Sequence, residues 1–213
     1  MLGAALDDLH ERLGAYFGAI PAGHVGRGHG VFDVVGTPRR WLWPILAVLG
    51  REGIAFPAWA HGVAFDVENR PTRTHEGDAA VSARRTFHLS GGDRAMVDEI
   101  AADNRGPHGD WRLVDRLGPG RLVQASFGAD VRGGALVLRS TGVGVRLGAW
   151  VLPILRPLAP VVRLTERFDG DRERQHVSIT LSMPVIGRIY EYSGFFTYRI
   201  EPDTASVVSE GES

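Results

Sequence analysis

Four polar side chains stand where an alternating strand pattern calls for apolar ones. Successive side chains of a strand point to opposite faces. In "VSARRTFHL", Arg85 shares a face with Val81, Ala83, Phe87 and Leu89. In "WRLVDRL", Asp115 shares one with Trp111, Leu113 and Leu117, and in "VVRLTERF", Glu166 shares one with Val162, Leu164 and Phe168. In "HGVAFDV", His61 falls in line with Val63, Phe65 and Val67. By contrast, "HVSITLSM" alternates cleanly, with Val177, Ile179, Leu181 and Met183 on one face. A lone buried charge costs several kcal/mol, so such groups are paired or wet. Two arrangements fit: a structural pair of Arg85 with Glu166 or Asp115, or the polar wall of a ligand cavity. A bulge would reverse the parity and remove either.

The stretch "GRIYEYSGFFTYRI" (187–200) adds to the same question. As a strand it sets Tyr190, Tyr192, Phe196 and Tyr198 on one face. A plain core would use Phe, Leu or Val there, because each buried hydroxyl needs a partner. The face therefore reads either as a cavity wall or as core with its hydroxyls reaching water. The ligand-binding set is Arg85, Asp115, Glu166, Tyr190, Tyr192 and His61. The catalytic candidates are Glu166 as acid or base and Tyr190 or Tyr192 as proton donor, with Arg85 stabilising developing negative charge.

Other chemistries are missing from the sequence. There is no cysteine, which removes disulfides, thiolate metal sites and a thiol nucleophile. All 24 basic residues are arginine, so no lysine forms a Schiff base. His24 and His29 in "HVGRGHG" lack metal-ligand spacing, and those glycines do not open a helix after a strand, so no metal and no cofactor is expected. A net charge of −1 makes no case for nucleic acid. The N-terminus, with Asp7, Asp8 and Glu11, does not read as a signal peptide, and no apolar run spans a bilayer, so the expected compartment is the cytoplasm.

The elements that would position these residues are mostly strands. Residues 3–19 read as an amphipathic helix carrying Leu6, Leu9, Leu13, Tyr16 and Phe17, packed on the outside of the domain. "PAGHVGRGHG" reads as a break, "VFDVVG" as a short strand and "PRRWLWPILAVLGREG" as a short helix or lid. From Val63 onward, short alternating runs are separated by turn signals such as "SGGD", "GPG", "RGG" and "DGD". "RAMVDEIAADN" is ambiguous between strand and helix, and "LGAWVLPILRPLAP" reads as an apolar flap across a barrel end or a buried connection. The expected fold is mainly β: an antiparallel barrel or strongly curved sheet with an N-terminal helix and one or two short helical flaps. One β-rich domain over 1–200 and a polar tail over 201–213 complete the reading.

The ordered set "GVFDVVG", "WLWPILAVLG", "FPAWAHGVAFDVENRP", "ARRTFHL", "RAMVDEI", "LTERFDG" and "GRIYEYSGFFTYRI" resembles a bacterial family of domains of unknown function, numbered four-one-six-six. The resemblance covers roughly residues 8–200. Members occur alone or fused to nucleotide-binding reductase- or epimerase-like domains, which implies a reductase-like protein as a possible partner. It transfers no catalytic residues. Three functions follow as expectations. The first is binding of a small apolar or amphipathic molecule in a partly polar cavity. The second is acid–base catalysis of the cyclase or isomerase type in the same cavity. The third is service as an accessory module for a reductase-like partner.

Overall fold

A computed structural model describes residues 8–103, 112–148, 150–155 and 158–204. A short helix, α1 (Glu11–Phe17), precedes β1 (His24–Gly36). A 3-10 turn (Arg40–Leu42) then runs into α2 (Trp43–Arg51). Strands follow without interruption: β2 (Trp59–Arg73), β3 (Ala79–His88), β4 (Arg94–Asp103), β5 (Arg112–Leu117), β6 (Val123–Arg132) and β7 (Ala135–Leu147). The chain finishes with β8 (Trp150–Pro153), β9 (Val161–Asp169), β10 (Arg174–Met183) and β11 (Gly187–Pro202).

Each strand pairs antiparallel with its neighbours. The order β1-β2-β3-β4-β5-β6-β7-β9-β10-β11 returns to β1, so ten strands close a barrel and leave no free edge in the ring. The ambiguous "RAMVDEIAADN" segment is β4, clamped by β3 and β5. β7 is shared: Leu136–Arg139 pair with β9, and Gly144–Leu147 pair with β8, which stands outside the ring.

The first strand departs most from the sequence reading. The "HVGRGHG" segment is not a break but the opening half of β1. Its alternate glycines 26, 28 and 30 face inward beneath Tyr198 and Phe196 of β11. The Tyr198 hydroxyl lies where a Cβ on Gly26 would stand, so the absent side chains make room for rings crossing from the next strand.

Ten strands enclose more space than their own side chains fill, and α1 occupies part of it. The expectation of a helix on the outside is corrected here. Leu9 and Leu13 pack among Leu113, Phe127, Leu136 and Leu138 of the inner face, and Leu13 is fully buried. Tyr16 sets its ring edge-on to Phe196 and Tyr198, with centroids 5.7 and 4.6 Å apart. The helix is held at the mouth by the His10 N–H donating to Gly134 O (3.1 Å) and by His10 stacked on Phe168. Residues 3–7 of the expected helix lie outside the described residues.

Antiparallel alternation puts α2, the 88–94 turn, the β7–β8 hairpin and the β10–β11 turn at the opposite end. There Leu46, Ala55 and Phe56 join Phe87, Met96 and Tyr190 in the core. The described part of "LGAWVLPILRPLAP" is mostly at the surface, which corrects the expected flap or buried connection. Leu147 at the end of β7 is exposed, as are Trp150, Leu152 and Leu155 on and after β8, outside the ring, and Ile154 packs on the core. The polar C-terminal stretch begins inside β11, and Asp203 is buried against Arg70 with its N–H donating to Gly23 O (2.8 Å). Residues 205–213 lie outside the described residues. Among the described residues, no helix is long and apolar enough to cross a membrane.

Candidate functional site

Register fixes which side chains look inward. Val67 pairs with Arg85, Ala83 with Asp98, Ile100 with Asp115, and Leu136 with Glu166. Arg85, Asp115 and Glu166 therefore share the interior with Phe65, Phe87 and Val177, as the alternation predicts. The partner of Arg85 is different from the expected one. Its Nη1 donates to Asp98 Oδ1 on the adjacent strand, not to Glu166 or Asp115. Asp98 is buried to 2% exposure, and it escaped the sequence reading because β4 was not assigned as a strand.

The interior is short of positive charge. Three carboxyl groups (Asp98, Asp115 and Glu166) share one guanidinium. Burial opposes the Arg85 charge, but Asp98 and the surrounding Tyr192, Tyr16 and Asp115 outweigh that and raise its pKa well above the usual value. Burial and the neighbouring Asp98 raise Asp115 well above the carboxylate range, only partly countered by Arg85 and Arg116. Burial pushes Glu166 up to about 8, with Arg85 opposing the shift. Tyr16, Tyr190 and Tyr192 are all pushed up, chiefly by burial.

Arg85, Glu166 and Tyr192 surround a cavity with Tyr16, Phe32, Phe65, Val67, Leu164, Val177, Ile179 and Phe196. Its volume is about 20 Å³, enough for a single water. On its wall, Glu166 Oε2 is buried without a partner among the described residues, and so, elsewhere in the interior, are Asp98 Oδ2, Asp115 Oδ1, Asn69 Oδ1 and Gln175 Nε2. Asn69 Nδ2 does donate to Tyr198 Oη (3.3 Å). Buried polar atoms are nearly always bonded, so such a group calls for water or a ligand. Asn69, Gln175 and Tyr16 were also missed from sequence. The first two do lie on inner-face parity; Tyr16 depends on where α1 docks, which no local pattern encodes.

Two predicted residues stand elsewhere. Tyr190 is buried at the α2 end, edge-on to Phe56, with its hydroxyl turned toward the Phe56 backbone and away from the cavity lining. His61 is exposed on the outside, edge-on to Trp59. The reason is Gly62, whose φ of 61° turns the strand over, so that Ala58 and Val63 are both buried on opposite parities. On the outer face of β11–β1–β2 several charges pair with one another. Arg27 reaches Glu68 (3.3 Å) and Glu201 (2.6 Å), and His88 bonds Asp66 (2.7 Å). Among the described residues, no group of three or more His, Asp or Glu is placed to hold a metal ion.

The arrangement can accept hydrogen bonds, hold a proton on Glu166 near neutral pH, and place one fixed positive charge beside it. No curated protein and no solved structure matches the chain. A family model described as a domain of unknown function (DUF4166) matches residues 9–196, and the chain belongs to that family.

Proposed function

We propose that this barrel binds a small, mainly apolar molecule carrying one hydrogen-bonding head group. The observation that carries the reading is the buried, unpartnered Glu166 carboxyl oxygen beside Arg85 on the wall of a cavity that α1 stoppers. Glu166 Oε2, Asp98 Oδ2 and Asp115 Oδ1 offer polar anchoring. Phe32, Phe65, Val177 and Ile179 offer the apolar walls. In the closed form the space holds about one water, so the ligand takes the volume that Tyr16 and Leu13 of α1 now fill. Withdrawal of a seven-residue helix opens the barrel without breaking a strand pair.

The test is native mass spectrometry of the protein from its own host, with titration of a fluorescent fatty-acid analogue into wild type and Tyr16→Ala. Binding that tightens in Tyr16→Ala supports the reading. A ligand-free wild type, with neither protein taking up the probe, overturns it.

Glu166 favours a second reading. A buried carboxyl group titrating near neutral pH beside an arginine is a usual composition for an acid–base site. In that reading Glu166 moves the proton and Arg85 steadies the developing negative charge. Turnover of the co-purified molecule, lost in Glu166→Gln with the fold intact, tests it.

A further inference from the structure

The large exposed apolar side chains are not scattered over this molecule. Apart from Val31, they gather at the α2 end of the barrel. Trp41, Ile45 and Val48 project from the 3-10 turn and α2 at helical spacing. Trp150 (77% exposed) and Leu152 project from the β7–β8 hairpin, and Val185 (107% exposed) from the β10–β11 turn. Isolated exposed hydrophobics are ordinary, but a cluster drawn from three separate tips marks an interaction surface.

Two of these tips are tied together. Arg39, just before the 3-10 turn, donates from Nε to Arg188 O (3.0 Å) and from Nη2 to Ile186 O (2.9 Å). The segment that leads into the 3-10 turn is thereby fixed to the β10–β11 turn that carries Val185. Val185 itself has φ 68°, a conformation costly for a β-branched residue and natural for Gly or Asn. Fold stability does not account for a fully exposed valine at that position.

Charge at this end also departs from the rest of the chain. Segments 37–58, 89–94 and 146–155 contain Arg39, Arg40, Arg51, Arg94 and Arg146 against Glu52 and Asp93. None of the five arginines is ion-paired among the described residues: Arg39 and Arg94 bond backbone carbonyls, Arg40 lies over Trp43, and Arg146 bonds Gln124. The net charge of −1 hides this local excess.

We propose that the α2 end docks on an anionic lipid bilayer surface, with Trp41, Trp150, Leu152 and Val185 entering the headgroup region and the exposed Arg40, Arg51 and Arg94 meeting lipid phosphates. Tryptophan at the interface, aliphatic residues below it and unpaired cations around them match the chemistry of that boundary. Separate protruding tips suit a deformable surface better than the complementary groove of a protein. The inference does not depend on what the barrel interior holds.

The experiment is flotation with vesicles of phosphatidylcholine alone and of phosphatidylcholine with phosphatidylglycerol, at low and high salt. The expected result is binding to the anionic vesicles, weakened by salt. Trp150→Ser with Leu152→Ser, or Val185→Ser alone, lowers the partition, by about tenfold for the double variant. These sites are exposed, so circular dichroism of the variants stays that of the parent. Absence of binding to anionic vesicles overturns the proposal. So does a stable dimer in light scattering that Trp150→Ser dissociates, since a second copy then covers this face.

Discussion

Arg85 and Asp98 form an ion pair inside the barrel, diagonal neighbours on β3 and β4, with Asp98 the more deeply buried of the two. The guanidinium is the one positive charge that Asp98, Asp115 and Glu166 share. Breaking a buried pair from one side leaves an uncompensated charge, costing about 3–5 kcal/mol. Arg85→Met is therefore expected to destabilise by about that amount in urea unfolding. Adding Asp98→Asn should recover part of the loss, with a coupling energy of about 1 kcal/mol or more in the double-mutant cycle. Additive single effects would show that the pair does not act as a unit.

Glu166 makes stability depend on pH. In the folded state it keeps its proton up to about pH 8, whereas its ordinary pKa is 4.5. Between those values the native state holds more protons than the unfolded chain, so stability falls as pH rises. The contribution is fully present below 4.5 and lost above about 8. Asp115 is raised and acts in the same direction. Glu166→Gln keeps the shape and removes the titration. Thermal melts are expected to fall from about pH 5 to pH 8 in the parent and to fall less in the variant. Equal slopes would remove Glu166 from the account.

Much of the interior was legible because a strand's period is two and barrels bury one face. That rule placed Arg85, Asp115, Glu166 and Tyr192 inward from spacing alone. It failed at His61, where left-handed Gly62 reverses parity, and a single glycine within a strand pattern does not announce its φ. It also failed across "HVGRGHG". Glycine is a poor strand former by itself, and only Tyr198 and Phe196, some 170 residues later, give those glycines a reason to be there. The plug was hidden for a related cause. Leu9, Leu13 and Tyr16 mark an apolar face, but whether it meets the outside or the inside of a barrel depends on the strand number.

Tyr192 separates a cavity wall from sealed core. Its ring packs on Phe32 and Phe87, with centroids 5.0 and 5.8 Å away, and the residue also lines the cavity. Tyr192→Phe keeps the ring contacts and removes the hydroxyl. Stability is expected to change by less than about 1 kcal/mol, while retention of the bound molecule or probe falls. A loss of stability with unchanged retention would assign the hydroxyl to the core alone.

The inward glycines of β1 are predicted to differ in what they tolerate. A Cβ on Gly30 meets the Phe195 carbonyl and comes within 2.7 Å of Phe196 Cα, which are backbone atoms of a paired strand. They cannot step aside without opening the β1–β11 ladder. A Cβ on Gly26 meets the outer end of the Tyr198 ring, which rotates away at the loss of its Asn69 bond. Gly26→Ala is expected to cost about 1 kcal/mol. Gly30→Ala is expected to cost more, toward the upper part of the roughly 1–3 kcal/mol range for overpacking. Tyr198→Leu, which shortens the intruding side chain, should make Gly26→Ala nearly harmless and leave Gly30→Ala unrelieved. Chemical denaturation of both glycine variants, of Tyr198→Leu and of the two double variants checks the order, and equal costs at the two glycines would mean that ring and backbone yield alike.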